Sequence, residues 1–263
     1  MEPSEIVNAL GPWRDRVRRS AWRPVVEPGD GLPTGSKFCG TPWTGPEASW
    51  PECASCKVPM GLLLQLRLDD LPAAEGRRGS GLLQFFHCSR GLLCKARDAF
   101  VPFADRATRV RVLTPIPSGE AAPAPPGYDP PQAPARRIVG WDQIDDLPGY
   151  HEREANGLIA EADLDADATR VRCPGIGLDV TIPYDPDLID DISDAAKGDK
   201  LGGWPRWVQR EEYPSCPRCG QRMALVFQVA AGGHAGEAFG DFRTGHITQC
   251  PEHPDVVAFG AAC

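Results

Sequence analysis

Two Cys-x-x-Cys phrases stand in this 263-residue chain, Cys53-Ala-Ser-Cys56 and Cys216-Pro-Arg-Cys219. Each is followed by further thiols, Cys88 and Cys94 after the first and Cys250 and Cys263 after the second. A pair spaced by two residues puts two sulfurs on one tight turn, and a distant segment can supply two more. That is how a zinc ion, with no geometric demand from its d shell, is held in a tetrahedral thiolate cage. The interval from Cys56 to Cys88 nearly equals that from Cys219 to Cys250, so the third ligand recurs almost in register. Two sets of four, Cys53, Cys56, Cys88, Cys94 and Cys216, Cys219, Cys250, Cys263, therefore predict two structural zinc ions with no coordination position left open for water. His87 and His253 lie near the third ligands and could replace a sulfur. They occupy different offsets in the two sets, which favours the all-cysteine assignment. Cys39 and Cys173 are left over and read as small buried thiols.

Other uses of cysteine fit less well. The chain opens Met1-Glu-Pro-Ser-Glu without a basic-then-apolar leader, so a cytoplasmic setting that keeps thiols reduced is expected. Redox catalysis would require neither a second copy of the pattern nor the trailing cysteines.

The pattern extends beyond cysteine. Laying the segment 37–66 over 200–229, without a gap, places Lys37 on Lys200, Gly40 on Gly203, Pro51 on Pro214, Cys53 on Cys216, Met60 on Met223 and Gln65 on Gln228. Such self-similarity predicts two pseudo-repeats, each with its own knuckle, sharing a core of antiparallel strands. The expected organisation is an N-terminal helix plus first repeat over 1–114, a proline-rich linker over 115–135, and a second repeat over 136–263. Between 115 and 134 eight prolines alternate with Ala, Gly and Ser, which suits an extended strap better than a packed element.

Secondary structure follows from periodicity and punctuation. Apolar runs at 60–68, 81–88, 100–103, 108–113, 223–230 and 245–250 read as strands, and 136–141 as a further one. Ser4 is placed to cap a short helix over 5–10. A second turn near Pro12 carries Arg14, Arg16, Arg18 and Arg19 as a solvated helical face beside Trp13 and Trp22. Residues 152–167 read as half helix, half loop. Asp185 caps a helix with Pro186 at its first position and Gly198 just past its end. The class is α+β and β-rich, in keeping with 28 Gly and 28 Pro, which favour turns over long helices.

The phrases 36–42, 50–53, 64–66, 81–86, 199–209 and 249–254, in this order, resemble the bacterial YwqG-like family of unknown function. The segment carrying Cys53, Cys56, Cys88 and Cys94 is also similar to the amino-terminal part of the programmed cell death protein 2 family. Those proteins are chaperones for a ribosomal protein, so the resemblance implies a protein-binding role. Cys39 stands where the resemblance calls for glycine.

A net charge of −8 and a pI near 5.2 provide no global field for phosphate backbones, so nucleic acid is not an expected partner. No apolar run approaches a membrane span. The cysteine phrases resemble half of a zinc deaminase motif, but the His-x-Glu that such chemistry requires is missing from the sequence. Walker-type and Gly-x-Ser-x-Gly phrases are missing too, and no catalytic site is expected. The reading is a zinc-stabilised adaptor or chaperone whose partner is a polypeptide, the acidic balance favouring a basic one, with Trp204 and Trp207 lining its cleft. Alternatives are an immunity-type protein that blocks a toxin, or a hydrolase using carboxylates or His246 and His253 in a groove between repeats.

Overall fold

The structure is a computed structural model that describes residues 1–44, 49–73, 79–90, 94, 100–104, 106–114, 116, 123–236 and 244–261. Two short helices open the chain, α1 (Pro3–Ala9) and α2 (Gly11–Val17), followed by strands β1 (Arg19–Pro28), β2 (Lys37–Phe38), β3 (Met60–Arg67), β4 (Leu82–Cys88), β5 (Thr108–Leu113) and β6 (Arg136–Asp146). Next come α3 (Tyr150–Arg153), β7 (Ile159–Asp163), β8 (Ala168–Cys173), β9 (Leu178–Pro183) and α4 (Pro186–Ile192). The chain ends on β10 (Lys200–Gly202), β11 (Ala224–Val229), β12 (Gly245–Gln249) and β13 (Val257–Ala261).

Ten strands form one sheet in the order β13-β12-β11-β10-β1-β6-β2-β3-β4-β5, every pair antiparallel. The sheet curls until its two edges meet. Phe85 stacks on Phe259 with ring centroids 4.3 Å apart, and Ala261 N donates to Phe100 O at 3.2 Å. This nearly closed antiparallel sheet encloses the main core, built from Phe38, Leu63, Leu64, Leu66, Phe85, Leu201, Phe227, Ile247 and Phe259. Curling a sheet on itself removes most of the edge that would otherwise pair with other chains.

β3 and β4 are apolar on both faces because both are covered. Leu63, Leu64, Leu66 and Phe85 face the enclosed core, while Met60, Leu62, Phe86 and Cys88 pack outward among the thiols. A register shift between Leu62 and Leu64 in the β3–β4 ladder lets the run change faces. β7, β8 and β9 form a separate sheet. Its inner face packs with α1, α2 and α4 around Ile6, Leu10, Trp13, Leu158, Val171 and Leu188. That module interrupts the chain between the last residue of β6 and the first of β10.

Local geometry recurs between the two matched segments. Cys53 N donates to Val58 O at 2.9 Å and Cys216 N to Gln221 O at 2.8 Å; Met60 N donates to Pro51 O and Met223 N to Pro214 O, each at 2.9 Å. Gln65 Nε2 reaches the carbonyls of Pro33 and Gly35, and Gln228 Nε2 those of Ala196 and Gly198. The bulge between Leu62 and Leu64 is matched by one between Leu225 and Phe227. Left-handed backbone appears at Cys39 (φ 55°) and Gly202 (φ 66°), and at Lys57 (φ 59°) and Gly220 (φ 72°).

Several local expectations need correction. Residues 100–103 form a turn, since Pro102 has no N–H for a ladder. Arg19 and Trp22 belong to β1 and not to a helical face, because the strand pairs with β6 along its whole length. At α1 the Glu5 carboxylate accepts from Glu2 N at 2.9 Å, so the helix begins before Ser4. Residues 152–167 contain the end of α3 and all of β7, and α4 stops at Ile192, well before Gly198.

Candidate metal centres and the adjoining cavity

The first knuckle hangs from the β3–β4 ladder, where Met60 pairs with Cys88. The Cys53–Cys56 turn folds back so that Lys57 N reaches Cys53 O at 2.8 Å, and Lys57 takes the left-handed conformation that closes it. Cys53, Cys56, Cys88 and Cys94 gather with all four sulfurs within 4.8 Å of one another. Cys53 and Cys94 are 3.6 Å apart, and Cys56 and Cys88 are 3.4 Å apart. Cys53 and Cys88 are buried, Cys56 and Cys94 half-buried.

The second knuckle has the same turn, with Gly220 N on Cys216 O at 2.8 Å. Cys216, Cys219, Cys250 and His253 gather here, with Cys219 exposed. Cys219 and Cys250 are separated by 3.6 Å, and His253 Nδ1 stands 3.7 Å from the Cys216 sulfur and 3.5 Å from that of Cys250. Cys263 lies outside the described residues; among the described residues His253 is the fourth group at this centre.

These distances suit a metal. Zinc–sulfur bonds of about 2.3 Å in a tetrahedron place sulfurs about 3.8 Å apart, and a nitrogen at about 2.0 Å lies about 3.5 Å from each sulfur. A disulfide would need about 2.05 Å, and Cys39, Cys53, Cys56, Cys88, Cys94, Cys173, Cys216, Cys219 and Cys250 are all thiols outside any disulfide. The electrostatics agree. Desolvation opposes ionisation of Cys216, yet backbone hydrogen bonds from Cys219 and Arg218 and the facing thiols bring its pKa down to about 6. Cys53 is lowered as well, against its burial, by backbone bonds from Cys56 and Ser55. Burial raises Cys88 above the ordinary thiol range. A cation would supply the charge that lets the whole set ionise. Both groups could hold a metal ion. His87 is not in the first group.

Each of the two matched segments carries a buried lysine. Lys37 Nζ donates to Asp30 at 2.6 Å and to Thr41 O at 3.1 Å; Lys200 Nζ donates to Asp146 and to Trp204 O, each at 2.6 Å. Asp146 also accepts from Trp204 N at 2.8 Å, so this network fixes the Gly203–Trp204 turn.

Trp204 and Trp207 are both buried. Trp204 Nε1 donates to Val17 O at 2.8 Å beneath the Arg19 guanidinium, and Trp207 Nε1 donates to Glu152 Oε1 at 3.0 Å while its ring packs on Tyr213 and His246. Trp204 nonetheless forms a wall of a cavity of about 480 Å³, shared with Arg19, Glu152, Tyr213, Arg222 and the start of β11. Glu152 is buried and 3.6 Å from Arg222. Burial raises its pKa against the opposing hydrogen bonds of Tyr213 and Trp207. Sequence reasoning missed Glu152, Tyr213 and Arg222, because a single carboxylate in an acidic stretch carries no spacing signal. His246 is enclosed, and burial followed by the Lys200 charge lowers its pKa to about 3.

Residues 36–248 match a domain of unknown function, DUF1963, and the chain belongs to that family. No curated protein matches it. Among the described residues no helix is long and apolar enough to cross a membrane.

Proposed function

We propose that the protein is a cytoplasmic, zinc-stabilised protein-binding module of the adaptor or chaperone kind, built from an internal duplication. The duplication reading draws support from the hydrogen bonds, bulges and left-handed residues that recur at matched positions of the two segments. It also accounts for the sheet order, in which β2 to β5 on one side of the β1–β6 pair mirror β10 to β13 on the other. On this reading the boundaries at 114 and 136 separate two copies that share one sheet, with 147–199 an insertion in the second. The resemblance to YwqG-like proteins and to the programmed cell death protein 2 family points the same way.

Zinc is the metal the donor sets favour. Thiolates and one imidazole at tetrahedral spacing select it over hard cations, which take oxygen ligands. Cys53, Cys56, Cys88 and Cys94 hold one ion, and Cys216, Cys219, Cys250 and His253 the other. Both cages are full, so the ions are structural.

The observation that carries the binding function is the cavity of about 480 Å³ walled by Trp204, Tyr213 and Arg222. It has the size of a recognition site, and aromatic and arginine walls are those that interfaces use. A hydrolase reading finds less support, since His246 is enclosed with a depressed pKa and His253 belongs to a metal group. Affinity capture with the intact protein tests the proposal. One stoichiometric polypeptide, lost when the cavity is filled, is expected; recovery of no protein under conditions that preserve both metals contradicts it.

A further inference from the structure

The strap over 123–135 shows what one half of the molecule does with the groove at Gly61. Six prolines fall in this short stretch, and after a turn in which Tyr128 N donates to Pro125 O at 3.1 Å the chain crosses β3 at Gly61. Tyr128 sets its ring edge-on to Trp50 at 4.7 Å. Pro131 lies over Gly61, where an added Cβ would come within 2.9 Å of its ring. Ala135 closes the end beside Gly40 and accepts from Gly29 N at 3.0 Å.

The counterparts, in the second segment, of the positions the strap covers line the open cavity. Trp50 corresponds to Tyr213, Gly61 to Ala224 and Gly40 to Gly203, and all three of the later residues wall it. Chain direction explains why no strap among the described residues fills it. The strap leads into β6, whereas the segment leading into β1 coils into α2 and turns away toward the helical module. Gly61 is buried beneath its strap; Ala224 remains partly exposed.

We propose that the open groove binds an extended, proline-rich segment of a partner protein, seated on Tyr213 and Ala224 as the strap is seated on Trp50 and Gly61. Such segments suit aromatic grooves because a polyproline helix is already ordered, so little conformational entropy is lost on docking. The rim sets the charge of the occupant. Arg19 and Arg222 border this cavity, and Arg16 borders a second one that shares Arg19, Asn156 and Trp204 with it. Glu152, buried and engaged by Trp207, lies 3.6 Å from Arg222, and Glu211, which also lines the cavity, lies 3.8 Å from the same guanidinium. An acidic side chain beside the prolines therefore finds its cationic partners at Arg19 and Arg16, and the strap itself carries one at Asp129. This deepens the protein-binding reading and rests on it.

A labelled peptide with the sequence of residues 124–134, titrated into the full-length, metal-loaded protein, tests the inference. Saturable binding tighter than about 1 mM is expected, with at least about a tenfold loss in Ala224→Leu, which fills the groove. Metal content and melting temperature of that variant serve as folding controls. The exposed Arg222→Glu variant should weaken the same peptide severalfold and should bind better a version with lysine in place of aspartate. Absence of saturable binding, or binding that Ala224→Leu and Arg222→Glu leave unchanged, overturns it. If affinity capture yields a partner whose retention ignores Ala224→Leu, this inference fails while the protein-binding reading stands. If no partner is captured, the reading itself fails.

Discussion

Asp146, the last residue of β6, holds the ammonium of Lys200 at 2.6 Å, and neither side chain reaches solvent. Two further donors, the backbone N–H groups of Ala196 at 2.7 Å and Trp204 at 2.8 Å, complete the carboxylate's partners. The pair thus ties the end of one central strand to the turn that leads toward the second knuckle and the cavity.

Removing one member of this pair leaves the other charged and buried, a loss of about 3–5 kcal/mol in comparable cases. Lys200→Met is expected to lower the unfolding free energy by that amount in urea titration. Lys37→Met should cost clearly less, because its partner Asp30 is 39% exposed and water can compensate. Equal losses would show that burial does not distinguish the two networks.

Gly203 has φ +71°, and a Cβ there would lie 2.2 Å from Asp146 Oδ2 and 2.7 Å from Ala21. Gly203→Ala combines left-handed strain with displacement of the buried carboxylate, so a loss of more than about 2 kcal/mol is expected. Gly220→Ala, also left-handed but with open space around it, should show only the backbone part. Thermal melts of the two variants give the comparison directly.

The knuckles and many strand cores were legible because thiol spacing and strand-length apolar runs are local signals. Met60 to Arg67 and Thr108 to Leu113 are strands whose sequence alone is sufficient. Tertiary context decided the rest. β1 begins at Arg19 within an arginine-rich stretch and ends at Pro28, and it exists because β6 and β10 flank it. The cavity escaped notice because Arg19, Glu152 and Tyr213 are far apart in sequence and meet only once β1 sits beside β10. His253 was visible as a candidate but ranked below Cys263 on the argument from matching offsets. The structure brings its ring beside the Cys216 and Cys250 sulfurs.

His246 should make stability fall in acid. Its pKa is held at about 3 in the folded protein against an ordinary value of 6.5, so the unfolded chain binds the extra proton first as pH drops. Its contribution is complete above about 6.5 and is lost progressively down to about 3. His246→Gln puts here the residue that β4 carries at Gln84, which pairs with Gln65 as His246 pairs with Gln228. Compared by denaturant titration at pH 7 and pH 5, the variant is expected to lose less stability than the parent; an identical slope would remove His246 from the explanation.

Chelation should proceed in two stages. Each set has two buried donors, but Cys219 of the second is exposed and its fourth group is an imidazole, whereas no donor of the first is exposed and all are sulfur. The second ion is expected to leave first and the first ion later, with a larger fall in melting temperature. A chromogenic chelator assay on Cys219→Ser, which should show only the slow phase, assigns the steps.

Elemental analysis of the purified, reduced protein addresses the account at its root. Two zinc ions per chain are expected, falling to one in Cys88→Ser and to one in His253→Ala. A chain that folds with no bound metal, keeps its melting temperature in excess chelator, and is indifferent to both substitutions would contradict it.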